Sequence, residues 1–171
     1  MKIPRSVLSV LSVLFVLPLC AATPARALDE IALSAGRFRV LDSMDNINEG
    51  GLEVRLAPHH FRFLPRPVVF VQAFGVMVNS DSSRYAYSSF RFEVPLGERW
   101  QITPQLGFGL YDRNGGFNLG GPVEFRSGLE VTRQIGERCR LGLIFYHLSN
   151  AVLYEHNPGS ESLVLTFAYR L

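Results

Sequence analysis

Three residues near the carboxyl end have the types and spacing of a nucleophilic hydrolase: His147, Ser149 and Glu161. A serine hydroxyl is a weak nucleophile until a base takes its proton. Imidazole is the natural base near neutral pH. A carboxylate on the far ring nitrogen fixes the tautomer and stabilises the imidazolium. On a β-strand, His147 and Ser149 share a face, about 7 Å apart along the backbone, and side chains leaning along the strand close that gap. Glu161 has the same parity and opens the next run of the chain. If the two runs are antiparallel neighbours joined by 151–160, all three residues meet on one patch. The plain alternative is that His147 and Ser149 are polar residues at the rim of a sheet, with no catalytic part. Glu155 and His156 belong to the connecting loop and fall off the row, so they read as solvated. His59 and His60 fall in another connection and read as bland.

The elements that must position this patch are short stretches of period-two alternation. Trp100, Ile102, Pro104, Leu106, Phe108 and Leu110 share one face, against Gln101, Thr103, Gln105, Gly107, Gly109 and Tyr111. Val123, Phe125, Ser127, Leu129 and Val131 alternate with Glu124, Arg126, Gly128, Glu130 and Thr132. The same pattern recurs at Leu52–Leu56, at Phe90–Val94 and at Leu163–Leu171. The spacing predicts eight strands, near 30–41, 51–58, 67–79, 85–95, 100–111, 122–134, 140–150 and 161–171. In the first, the pattern slips near Gly36, where a bulge is expected. The stretch 68–78 is apolar on both faces and gives no orientation. In 140–150 the odd row Leu141, Leu143, Phe145, His147 and Ser149 is the expected outward face.

Several of these strands have the length a tilted strand needs to cross a bilayer, roughly 9–11 residues. Connections at 42–50, 80–84, 112–121 and 151–160 are polar or Gly-rich, whereas 96–99 and 135–139 are tight turns and 59–66 is longer. Alternating short turns and longer loops is the habit of membrane barrels. The expected fold is therefore an all-β, eight-stranded antiparallel transmembrane β-barrel with both termini periplasmic. A soluble barrel with its apolar face turned inward around a ligand is the competing arrangement. Large apolar side chains running up to Trp100 and Tyr169, opposite rows mixing Glu, Arg and Gln with Gly, favour lipid outside. The chain also ends on an apolar strand residue, Leu171, as such barrels do.

Residues 1–27 read as a cleaved signal peptide: a basic start, the apolar run Val7–Leu19 and an Ala25-x-Ala27 ending. The run is shorter than the roughly 20 residues of a spanning helix. The expected mature domain is 28–171. Taking Lys2, Arg5 and Arg26 from the 17 basic residues leaves 14 arginines against 15 acidic residues. A net charge near −1 gives no reason to expect nucleic acid. Cys20 leaves with the signal, so Cys139 stands alone and no disulfide staples the domain.

The segment His147-Leu148-Ser149-Asn150-Ala151, followed by Asn157-Pro158-Gly159-x-Glu161, resembles the signature of the lipid A 3-O-deacylases of PagL type. The specific match covers 147–161, and the Glu-Phe-Arg-Ser-Gly stretch at 124–128 is a looser similarity. The resemblance implies an outer-membrane esterase that removes the 3-hydroxyacyl chain ester-linked at position 3 of lipid A. It implies Ser149 as nucleophile, His147 as base and Glu161 as the residue orienting the base. Asn150 and the N–H groups of 150–152 are the expected oxyanion donors. Neither a metal nor another cofactor is implied. Lipid A in the outer leaflet is the implied partner, and a homodimer stays open. One departure is Val152, where some members carry glycine. It narrows the oxyanion region while leaving its N–H available. Arg84 and Arg113 flank outer loops and could meet phosphates, although surface charge is the simpler reading. A non-catalytic structural or adhesive barrel is the alternative function.

Overall fold

The computed structural model describes residues 27–42, 46–61 and 68–171. Alternating apolar and polar residues form strands β1 (Leu28–Phe38), β2 (Ile47–Leu56), β3 (His59–Phe61), β4 (Val68–Asn79), β5 (Arg84–Leu96), β6 (Trp100–Asp112), β7 (Val123–Gln134), β8 (Cys139–Ser149) and β9 (Ser160–Arg170). Each long strand pairs antiparallel with its chain neighbours. β1 also pairs with β9, and β2 with β4, which closes the sheet into an eight-stranded barrel. Closure leaves no open edge, the condition for a sheet that faces hydrocarbon. Short turns join β5 to β6 and β7 to β8 at one rim, and the longer loops 113–122 and 150–159 gather at the other with residues 39–42. The signal-peptide assignment at 1–27 lies, but for Ala27, outside the described residues.

The apolar faces point outward. Leu33, Leu52, Phe74, Val76, Leu106, Leu129, Leu143, Phe145 and Leu165 are exposed on the barrel wall. The inside is polar and packed. Arg55 Nη1 lies 2.5 Å from Glu30 and its Nε 2.7 Å from Glu53, and Arg140 lies 2.7 Å from Glu30. Arg91 pairs with Glu130, whose other oxygen accepts from Thr166 at 2.5 Å. These charges are buried, so each depends on its partners; removing one side of such a pair costs about 3–5 kcal/mol. The space left between Glu49, Glu53, Arg91, Arg126 and Tyr146 is about 20 Å3, room for a single water, so this part of the lumen is no pore. Towards the long loops the polar filling gives way to an apolar plug of Phe38, Met77, Tyr85, Tyr111, Leu119, Ile144, Tyr146 and Leu148. The inward-apolar arrangement of a soluble ligand-binding barrel is thereby excluded.

Two places where the sequence pattern was faint have an apolar inner row. Val71, Ala73 and Met77 of β4 are buried while Phe74, Val76 and Val78 face out, so both rows are apolar for different reasons. In β8, Ile144, Tyr146 and Leu148 are buried in the plug, and the odd row faces outward as expected. The bulge expected at Gly36 is absent: the register of β1 runs unbroken through Gly36 against both β2 and β9, and the irregularity lies between Leu28 and Glu30. Gly36 marks a close approach, since a Cβ there would stand 2.2 Å from the carbonyl oxygen of Leu163. The strand expected at 51–58 begins earlier, at Ile47, and the connection expected at 59–66 starts instead with β3. His59, His60 and Phe61 pair with Phe70, Val69 and Val68. Pro58 has no N–H to donate, so the ladder breaks there and resumes along β4.

Candidate active site

The outward row of β8 ends at the long-loop rim with His147 and Ser149, both half-buried. The antiparallel register sets His147 opposite Glu161 of β9 on one side and opposite Ser127 of β7 on the other. Ser149 stands opposite Phe125. His147 Nδ1 and Glu161 Oε1 are 3.0 Å apart. Their side chains remain 40% and 32% exposed, enough for a reactant to arrive from outside the wall. Ser149 Oγ lies on the same row as the imidazole, but no hydrogen bond joins them among the described residues. Such bonds are often long in empty sites and tighten in the complex. A carboxylate holding Nδ1–H leaves Nε2 as the basic nitrogen, which is the tautomer that proton abstraction needs.

The ring is held from above by Gly159. This residue is buried, has a left-handed backbone (φ +67), and a Cβ added to it would lie 2.7 Å from His147 Cε1. Glycine satisfies both demands, the backbone angle and the missing volume. Only the Asn157-Pro158-Gly159 turn signal hinted at it in the sequence.

Asn150, the residue expected to donate to an oxyanion, has its donors engaged within the loops. It is fully buried, and its Nδ2 donates to Leu119 O at 2.9 Å and to His156 O at 2.8 Å. Its own N–H donates to Asn157 Oδ1 at 3.1 Å. The bond to Leu119 ties loop 150–159 to loop 113–122, and the bonds to His156 and Asn157 brace loop 150–159 itself. The next two residues are different. Ala151 and Val152 both have left-handed backbones (φ 49 and 64), and their N–H groups have no hydrogen-bond partner among the described residues. A β-branched residue in that region is strained, and strain of this kind gathers at functional sites. Val152 is also 80% exposed.

The remaining candidates stand apart. Glu155 and His156 are exposed in the loop, and the carboxylate on the imidazole is that of Glu161. Arg84 is exposed, 4.0 Å from Asp112, and Arg113 is exposed in its loop. His59 and His60 lie at the opposite rim. Beside Glu161 a cleft of about 490 Å3 opens between loops, lined by Arg39, Leu41, Asp42, Phe117, His156 and Pro158. Arg39 pairs with Asp42 and stacks 3.5 Å over the Phe117 ring. Asp81 anchors the same corner, accepting from Ser83 Oγ at 2.7 Å and from Phe117 N–H at 2.9 Å. Burial raises its pKa, but these hydrogen bonds outweigh burial and hold the carboxyl below its ordinary value.

The profile of the family described as Lipid A 3-O-deacylase (PagL) matches residues 59–170. No curated protein matches the chain. Among solved structures, the crystal structure of the outer membrane enzyme PagL superposes with a TM-score of 0.66 at 17% identity, covering 83% of this chain and 99% of that one. A de novo designed transmembrane β-barrel gives 0.59 at 11% identity, over 86% and 98%. Neisserial surface protein A gives 0.52 at 11% identity, over 86% and 100%. At these identities the structural likenesses establish the fold, an outer-membrane type of barrel.

Proposed function

The chain belongs to the lipid A 3-O-deacylase (PagL) family, and from that premise we propose that it hydrolyses the ester of the 3-hydroxyacyl chain at position 3 of lipid A with Ser149, His147 and Glu161. Ser149 Oγ attacks the ester carbonyl while His147 Nε2 takes its proton. The tetrahedral intermediate collapses, and the departing sugar oxygen receives that proton from His147. Water, deprotonated by His147 in turn, then attacks the acyl-serine, releasing the 3-hydroxy fatty acid and returning the proton to Ser149. Glu161 accepts the Nδ1–H bond throughout and offsets the imidazolium charge. The oxyanion takes the N–H groups of Ala151 and Val152, which follow Ser149 closely in the chain on a left-handed backbone. Donors of this kind must lie about 3 Å from the developing charge.

The observation that carries this reading is the 3.0 Å contact of His147 with Glu161 on the lipid-facing row that ends in Ser149. A polar pair on that wall has no use in an inert barrel, because polar groups facing lipid are costly. The location also suits the substrate. The ester enters sideways from the outer leaflet, and the cleft beside Glu161 gives the sugar headgroup room. Residues 1–27 direct export and are removed. The test is mass spectrometry of lipid A from cells with and without the protein. The expected change is the loss of one 3-hydroxyacyl chain from position 3; an unaltered lipid A would overturn the reading.

A further inference from the structure

The outward row of β7 presents Val123, Phe125, Leu129 and Val131 to the lipid, with one hydroxyl among them, Ser127. Ser127 is exposed and has no hydrogen-bond partner among the described residues. A hydroxyl turned to hydrocarbon without a partner loses the bonds that water would give it. Its opposite number in the register is His147, so the imidazole stands between a carboxylate on β9 and a hydroxyl on β7. Directly opposite residues have Cβ atoms about 4.5–5.5 Å apart, and diagonal ones about 7–8 Å; Ser149 is the diagonal neighbour of Ser127.

The direction of the acyl chain follows from the same register. Ser149 is nearest the rim and stands opposite the apolar ring of Phe125. One outward position deeper come Ser127 and His147, then Leu129 with Phe145, then Val131 with Leu143. A chain whose ester carbonyl sits at Ser149 and whose tail runs into the hydrocarbon passes Ser127 within its first carbons. In a 3-hydroxyacyl ester those carbons bear the hydroxyl. We propose that Ser127 hydrogen-bonds the 3-hydroxyl of the scissile chain, which makes it the residue that selects 3-hydroxyacyl esters over unsubstituted ones. The inference rests on the deacylase reading above and extends it to a determinant of substrate choice.

The test uses the mature barrel in mixed micelles with two lipid A preparations. They differ only in whether the position-3 chain carries its 3-hydroxyl. A hydrogen bond of ordinary strength gives a preference of about tenfold in kcat/KM for the hydroxylated ester. Ser127→Ala is expected to bring that ratio close to one, and Ser127→Thr, which keeps the hydroxyl, to retain it. Heat-modifiable electrophoretic mobility reports that each variant is folded. An active wild type with the same ratio as Ser127→Ala, or with no preference at all, would overturn the assignment of Ser127 alone. A folded wild type inactive on both lipids would overturn the deacylase reading and this inference with it.

Discussion

Gly159→Ala separates the position of the imidazole from the stability of the barrel. The new methyl would stand 2.7 Å from His147 Cε1 and 3.4 Å from Nε2. Carbon atoms in contact prefer about 3.5–4.0 Å, so the ring must retreat by roughly 1 Å. It would retreat from a 3.0 Å contact with Glu161. A misplacement of that size costs about 100-fold in rate, equivalent to about 2.7 kcal/mol of barrier. The left-handed backbone adds a separate stability penalty of about 1–2 kcal/mol for an L residue. Gly97→Ala supplies the control. Gly97 has φ +80, nothing within 4 Å of its added Cβ, and a place in the β5–β6 turn at the far rim. Fatty acid release in micelles and urea unfolding should show similar stability losses for both variants and a loss of activity for Gly159→Ala only. Retention of more than half the activity by Gly159→Ala, or an equal loss in Gly97→Ala, would refute the reasoning.

Other substitutions probe the rest of the account. His147→Ala should abolish fatty acid release from a folded barrel, Glu161→Ala should be less severe because it orients the base without joining the bond changes, and Glu155→Ala should keep most activity, all read from initial rates. Leu143→Arg on the lipid-facing row should cost about 2–4 kcal/mol near the bilayer middle, whereas Gln105→Glu, inside and beside Arg126, should be milder; urea titration in liposomes compares the two. Val152→Gly removes a β-branched residue from a left-handed backbone and should raise stability by about 1 kcal/mol, with hydrolysis persisting because the N–H groups remain.

The barrel was legible where the two faces of a strand differ in polarity, as in Trp100–Leu110 against Gln101–Tyr111. It was illegible in β4 because Val71, Ala73 and Met77 face inward yet are as apolar as the lipid-facing row. Gly36 looked like a slip of register because a missing side chain interrupts the pattern in the same way as an inserted residue. In the site, parity and antiparallel pairing were enough to join Glu161 to His147. They could not assign Asn150, whose donors go to Leu119 and His156 in ways that only the packing of two loops determines. Nor could they find Ser127 opposite His147, because that pairing depends on the exact stagger of β7 against β8.

The central claim is that Ser149 is the nucleophile of a lipid A deacylase. Its most direct test is mass spectrometry of purified lipid A incubated in micelles with the wild-type barrel or with Ser149→Ala, both verified as folded. The account predicts that the wild type removes a single 3-hydroxy fatty acid from position 3 while Ser149→Ala leaves the lipid intact. Full deacylation by folded Ser149→Ala would contradict it.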